Sequence, residues 1–369
     1  MSFGPARRVE LCGVRCDVRT DHDEFGQYLT DHFPDAGAAS DGAADIAVDV
    51  RWSEGRPAAR TPGALFRGWP VETRIDRHVY LGPRHVLWLR IDDAPEIALA
   101  CEREAHRRRY EVRYDFSPGA AGWRGAVKRT LAHRQLKRLR RARFSTLTYY
   151  AVYYPVWWHL EAARAAHPLH AAGVVLGERA IVLAGLPGVG KSSLVLGLLG
   201  TTGAELLSDN VILHDGEHVF GCFEPLLLDA AARSALGGAL DLVPLGRRHV
   251  WNRDAYHVAH RANGVVAGHV VLLARGARTR LEPLDPAACA RLLLAVDVAA
   301  KEVRRYHVFA AILGMAEPDG LAGAAERAAR LQKLCASVPC HRLVVREGAP
   351  HEALALLAEL SPTVREAAQ

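Results

Sequence analysis

The chain has 369 residues, of which 50% are hydrophobic and 24% charged. That balance suits a globular protein of one large or two ordinary domains, and it excludes a mainly disordered chain, a collagen-like fibre and a small disulfide scaffold. Lys+Arg 47 against Asp+Glu 41 leaves a net charge of +6, too mild by itself to require a nucleic-acid partner.

The first residues, Met1-Ser-Phe-Gly-Pro-Ala-Arg-Arg, lack the apolar stretch of a signal peptide. No run of 18 apolar residues exists, so no membrane span is expected. The chain reads as cytoplasmic. Its seven cysteines, at 12, 16, 101, 222, 289, 335 and 340, are odd in number and scattered. Cys12-x3-Cys16 and Cys335-x4-Cys340 bring thiols near each other. Neither has the paired spacing with His of a structural zinc site, so free, reduced thiols are expected. Only five lysines occur: Lys128, Lys137, Lys191, Lys301 and Lys333.

Residues 1–116 read as a small strand-rich α+β domain. Val9 to Val18, Ile46 to Trp52, His78 to Leu81, His85 to Ile91 and Tyr110 to Phe116 alternate apolar and polar residues, with turn residues between them. The domain carries no chemical motif and is the natural place for substrate recognition. Residues 117–166 form a basic, helical and aromatic connector. Trp123 to Arg143 carries nine Arg and Lys, with Val127, Leu131, Leu136 and Leu139 near helical spacing. Such a helix suits an acidic peptide, an anionic surface or nucleic acid, or is simply a solvated face. Tyr149 to His159 is a dense aromatic cluster, read as packed core because no basic residue interleaves within it.

Residues 167–345 read as strand–loop–helix units. Strands are expected at Ala171–Leu176, Ala180–Ala184, from Glu205, and at His269–Ala274. Helices are expected at 286–298, 299–314 and 319–336, with a late strand from His341. Residues 346–369 give a terminal helix and tail.

Gly185-Leu-Pro-Gly-Val-Gly190-Lys191-Ser192 matches G-x-x-x-x-G-K-[ST] in full, after a β-branched strand and before an apolar helix. The chemistry needs these types. Glycines let the backbone curl so that successive N–H groups point inward at phosphates, and the helix adds its positive N-terminal end. Gly185, Pro187, Gly188, Val189, Gly190, Lys191, Ser192 and Ser193 are the expected nucleotide-binding residues. Lys191 would reach the β- and γ-phosphates and the Ser192 hydroxyl would hold Mg²⁺. The guanine-reading Asn-Lys-x-Asp and the transporter-type Leu-Ser-Gly-Gly-Gln are absent. The obvious later strand, Val270-Val-Leu-Leu-Ala-Arg275, ends in Arg where an acid is usual. The acid is therefore sought at Asp209, 18 residues after Lys191, with Asn210 beside it. Asp209 could hold metal or accept a proton from an attacking hydroxyl.

Together these residues resemble the catalytic domain of the bacterial HPr kinase/phosphorylase family and its HprK-like relatives, a family related to ATP-dependent phosphoenolpyruvate carboxykinase. The likeness covers about residues 167–215 well and the rest of the C-terminal half in outline. It implies an α/β fold: a P-loop HprK/PEPCK-like kinase domain, here preceded by the small strand-rich domain. The family has a His on a strand before the loop. His170 lies 15 residues before Gly185 and resembles it. The resemblance makes Asp209 the base that deprotonates the acceptor and puts His170 near the transferring phosphoryl. Where the family has two acids, this chain reads Asp209-Asn210, which leaves Ser192, Asp209 and Asn210 as the metal set with one charge fewer and puts the reverse, phosphorylase-type reaction in doubt. The family's Glu-x-Arg-Gly-type signature is not found downstream. Glu224, Arg247, Arg248 and Arg253 are the available substitutes, and His167, Lys301, Arg304 and Arg305 are weaker candidates.

The expected activity is ATP- and Mg²⁺-dependent transfer of the γ-phosphoryl group to a hydroxyl, on a Ser of a peptide or protein such as a natural-product precursor peptide. A small-molecule kinase of a biosynthetic or resistance pathway is the close alternative. An ATP-binding regulatory protein without phosphotransfer, favoured by Asn210, is the alternative of another class, and a nucleic-acid-dependent ATPase working through Arg124–Arg143 is a third. A homo-oligomer is compatible with all of them.

Overall fold

In the computed structural model, described residues are 2–33, 35–38, 42–55, 59–104, 106–116, 133–201, 203–236, 240–248, 253–258 and 261–360. They form a mixed α/β structure with two compact units. The first comprises 1–159, 248–253 and 308–321. The second comprises 160–247, 254–307 and 322–369. Among the described residues no helix is long and apolar enough to cross a membrane.

The first unit is built on a nine-stranded sheet, made of β1 (Arg7–Leu11), β2 (Val14–Thr20), β3 (Gly37–Ala38), β4 (Ile46–Glu54), β5 (Thr73–Arg74), β6 (Val79–Leu81), β7 (His85–Trp88), β8 (Ile97–Arg103) and β9 (Arg108–Phe116). Their order is β3-β1-β2-β4-β9-β8-β7-β6-β5. β4 runs parallel to both β2 and β9. Alternation explains the pattern. Val14, Cys16 and Val18 of β2 are buried, while Arg15, Asp17 and Arg19 between them are not. The polar face is laced by ion pairs between facing residues, Arg8 with Asp17 at 2.7 Å and Arg19 with Asp49 at 2.8 Å. The aromatic run forms a π-helical turn, Tyr149–Tyr153, continued by helix Tyr154–Arg164. Tyr150, Tyr153, Tyr154, Trp157 and Trp158 are fully buried, as a packed core requires. Of the basic stretch, residues 117–132 lie outside the described residues. Helix His133–Thr148 follows, and its Arg140 and Arg143 pair with Glu54 and Glu96.

The second unit is a sheet between two helical layers. Its strands are β10 (His167–Leu169), β11 (Ala171–Leu176), β12 (Arg179–Ala184), β13 (Glu205–Ser208), β14 (Ile212–His214), β15 (His218–Gly221), β19 (Val265–Gly276), β20 (Arg280–Pro283) and β21 (Cys340–Arg346). A small separate sheet holds β16 (Leu226–Leu228), β17 (Leu242–Arg248) and β18 (Asp254–Val258). The main order is β10-β14-β15-β19-β12-β11-β13, with β21 on β19 and β20 on β21. β12, β19 and β21 are mutually parallel neighbours. β11 is buried at every position, because both faces of the sheet are covered. Val182, Val270 and Ala267 pack with helices Pro286–Ala299 and Ala324–Ser337 on one face. Ile181, Leu183 and Val271 pack with helices Lys191–Thr201 and Pro350–Ala358 on the other.

The helices expected at 286–298 and 299–314 are found at Pro286–Ala299 and Lys301–Gly314. The one expected at 319–336 starts later, at Ala324. Pro318-Asp-Gly forms a 3₁₀ turn instead, and its glycine and proline disfavour a continuous helix.

β15 and β13 meet closely at Gly221, where an added Cβ would lie 2.2 Å from the Leu207 carbonyl oxygen. Neither backbone can yield without breaking its ladder. Gly221→Ala is therefore expected to destabilise the second unit by about 1–3 kcal/mol, read as a lower urea midpoint for the transition of this sheet. An unchanged midpoint would show that the strands separate freely.

Candidate functional site

The site lies where β12 ends and helix Lys191–Thr201 begins. Gly185, Gly188 and Gly190 have φ of +151°, +81° and +110°, a region L side chains rarely adopt. Two of them also lack room. A Cβ at Gly185 would come 3.1 Å from the Leu273 carbonyl oxygen, and one at Gly190 would come 3.2 Å from the Arg275 guanidinium. The glycines thus shape an open curl of backbone at a helix start. Leu186, Pro187, Gly188, Ser192 and Ser193 are exposed, whereas Val189 packs on the core beneath.

Lys191 does not extend outward. It is 6% exposed, and its Nζ donates to the Gly185 carbonyl at 2.8 Å and to His170 Nε2 at 2.9 Å. Burial pushes the Lys191 amine down to about 8, while the nearby Asp209 and Glu302 carboxylates oppose that shift. Burial, and then the Lys191 charge, push His170 down to about 4. His170 is therefore neutral near pH 7 and accepts a hydrogen bond from the lysine at Nε2, which places its own proton on Nδ1.

His170 is fixed from behind. Its backbone N–H donates to Asp297 Oδ1 at 2.8 Å. Asp297 is 5% exposed, in an otherwise apolar turn of helix Pro286–Ala299. Burial pushes its carboxyl up to about 7, against the pull of the His170 N–H and the Arg327 charge.

Asp209 and Asn210 occupy the short turn between β13 and β14, near enough for the Asp209 charge to act on Lys191. Ser208, just before them, closes this turn by donating to the Val211 carbonyl at 2.6 Å. The Asn210 amide donates to Glu224 at 3.3 Å. Ser192, Asp209 and Asn210 together offer hard oxygen donors, a set that suits Mg²⁺, and the open glycine curl suits a phosphate chain.

The structure thus brings together Gly185–Ser193, His170, Lys191, Asp209, Asn210 and Glu224. Arg253 falls in the other compact unit, and the side chains of Arg247 and Arg248 lie outside the described residues. His167 is buried beside Glu161, at 3.4 Å, as a core group. Lys301 and Arg304 are exposed. Three residues were not singled out as site residues from sequence: Asp297, Glu302 and Arg275. A lone acid inside Leu292-Leu-Leu-Ala-Val-Asp-Val was the available signal for Asp297, because a buried acid needs a partner.

No family model matches the chain, and no curated protein matches it. Among solved structures, the chain is similar to the Hpr(Ser) kinase/phosphatase from Coxiella burnetii, at 11% identity over 52% of this chain and 95% of that one, with a TM-score of 0.24. This likeness is remote.

The Asp297 carboxyl gives the site a pH signature. The folded protein holds that proton up to about pH 7, while an ordinary Asp releases it at 3.8. Between those values the native state binds more protons, so this group's contribution to stability falls as pH rises. Asp297→Asn keeps an acceptor for the His170 N–H but cannot titrate. Its stability relative to wild type should climb over that window, by at most roughly 1.4 kcal/mol per pH unit. Parallel stability–pH curves for the two proteins would sink this assignment.

Proposed function

We propose that the chain is an ATP- and Mg²⁺-dependent kinase that transfers the γ-phosphoryl group to a hydroxyl, on a Ser of a peptide or protein such as a natural-product precursor peptide. The observation that carries this reading is the placing of Lys191 within a glycine curl, in reach of the Asp209 charge. A lysine held in this way can turn outward to phosphate oxygens, which offer it more charge than a carbonyl does.

In this reading, the backbone N–H groups of Gly188 to Ser193 hold the β- and γ-phosphates, with the helix N-terminus behind them. Ser192 and Asp209, with Asn210, would hold Mg²⁺, which would supply neutralisation of phosphate charge. Asp209 takes the proton of the acceptor hydroxyl as its oxygen attacks the γ-phosphorus. The bond to the bridging oxygen breaks and ADP leaves. His170 stays neutral, orients Lys191 and adds no competing positive charge. Arg275, already against Gly190, is placed to meet charge developing on the moving phosphoryl.

Residues 167–345 would be the P-loop kinase domain of HprK-like type, followed by a C-terminal helix and tail over 346–369. Residues 1–116 would select the acceptor and 117–166 would connect the two. The reading places the protein in the cytoplasm. A small-molecule acceptor would leave every role above unchanged.

The test is label transfer from γ-labelled ATP with Mg²⁺ to a pool of Ser-containing peptides and cell metabolites. Wild type is expected to move label, and the labelled species names the acceptor class. Asp209→Asn should lower transfer by about 10²-fold or more while still binding ATP, as loss of a general base does. Lys191→Ala should weaken ATP binding as well. If ATP binds yet no label moves in any pool, and Asp209→Asn changes nothing, the base assignment fails and an ATP-bound regulatory protein takes its place.

A further inference from the structure

Three of the seven cysteines converge in the second unit. Cys289 lies on helix Pro286–Ala299, Cys335 near the end of helix Ala324–Ser337, and Cys340 at the start of β21. Their sulfur atoms all lie within 4.8 Å of one another. Cys289 and Cys335 are fully shielded and Cys340 is 5% exposed, and none is in a disulfide. The walls are apolar, with Leu293, Leu331, Leu334 and Val338 in the same core. Cys340 donates weakly to the carbonyl oxygens of Cys335 and Val338, at 3.4 and 3.7 Å.

One buried thiol is well explained as a small apolar side chain. Three thiols from three separate elements meeting at one point are not required by packing, which any small residue would satisfy. Metal–thiolate bonds of about 2.3 Å put the sulfurs of a three-coordinate site about 4 Å apart. The observed cluster reaches that spacing by closing less than about 1 Å. Among the described residues no histidine or carboxylate belongs to the group. His341 follows Cys340 on β21, so strand alternation sends it to the other face of the sheet. An all-sulfur, three-coordinate, closed pocket suits soft ions that tolerate low coordination.

We propose that Cys289, Cys335 and Cys340 form a closed three-thiolate site for one soft d¹⁰ metal ion, of the zinc and copper(I) class. Each thiol gives up its proton as its sulfur bonds the ion, so a divalent ion and three thiols yield a three-thiolate complex of charge −1 and three protons. Nothing is oxidised or reduced. The ion ties two helices and the first residue of β21 into one body, and its role is structural.

The reduced full-length protein, stripped of metal by chelation, is titrated with Cd²⁺ as the probe. Thiolate-to-cadmium absorption in the ultraviolet and native mass measurement report binding. The expected result is one Cd²⁺ per chain, with absorption appropriate to three thiolates, and displacement of bound Zn²⁺ by Cd²⁺. The melting temperature should rise with the ion, because only the folded chain presents all three sulfurs together. Cys289→Ala and Cys340→Ala should each lose the tight site, whereas Cys12→Ala with Cys16→Ala should keep it. Absence of stoichiometric Cd²⁺ binding by the wild type overturns the proposal, whatever the variants do. So does equal binding by the variant lacking all three thiols.

Discussion

The site depends on a buried amine. Lys191 begins a helix and would, unconstrained, extend into water. Instead its Nζ is held by the Gly185 carbonyl and His170 Nε2. Taking an ammonium out of water is costly unless acceptors replace its hydration. Here these two close acceptors and the more distant Leu186 carbonyl, at 3.4 Å, do so, aided by the charges of Asp209 and Glu302. That requirement explains several neighbours at once. His170 must be neutral to accept, so it is buried and lies beside a cation. Gly185, whose carbonyl accepts from the amine, has φ of +151° and sits where a Cβ would come 3.1 Å from the Leu273 carbonyl oxygen. Asp209 must stay near enough to be felt, so it sits in a tight turn whose preceding Ser208 hydroxyl is tied to the backbone at 2.6 Å.

The sheet supplies the rigidity. β12 delivers the glycine curl, and its parallel neighbour β19 runs past it to Arg275. A strand end beside such a loop usually offers an acid, and this one offers a guanidinium against Gly190. In the proposed reading the acid comes instead from Asp209, in the turn after β13, two strands away through β11. The local rule is broken at one strand and met at another, a substitution that keeps both signs of charge around the loop.

Much of this was legible in the sequence, for physical reasons. The Gly185–Ser192 motif is contiguous, and each residue type answers a backbone or charge requirement. The apolar runs of β11, β12 and β19 declare strands covered on both faces. The helix start at Pro286 follows from Asp285-Pro286, where the Asp285 carboxylate caps the Ala288 N–H at 2.8 Å. What was not legible depends on convergence from afar. Asp297 is 127 residues from His170, and its role exists only because a helix lays it against one backbone N–H. Glu302 reads as a surface acid until the fold brings its charge to Lys191. The arginines of the basic stretch look unbalanced in sequence, yet Arg140 and Arg143 find Glu54 and Glu96 on strand and turn segments far away in the chain.

Helix Pro286–Ala299 joins these threads. Cys289, Leu293, Val296 and Asp297 recur at helical spacing, so one face carries a thiol at its start and a carboxyl near its end. Eight residues put about 12 Å between them along the axis. The apolar residues between fill the layer beneath the sheet. The helix therefore has a fixed depth set by packing, one end among three sulfurs and the other against the backbone of His170. A shift of this helix along its axis would carry Asp297 away from the His170 N–H, and His170 is the partner of Lys191. Whatever anchors the Cys289 end thus bears on the amine at the loop, through packed side chains and one hydrogen bond rather than through any direct contact.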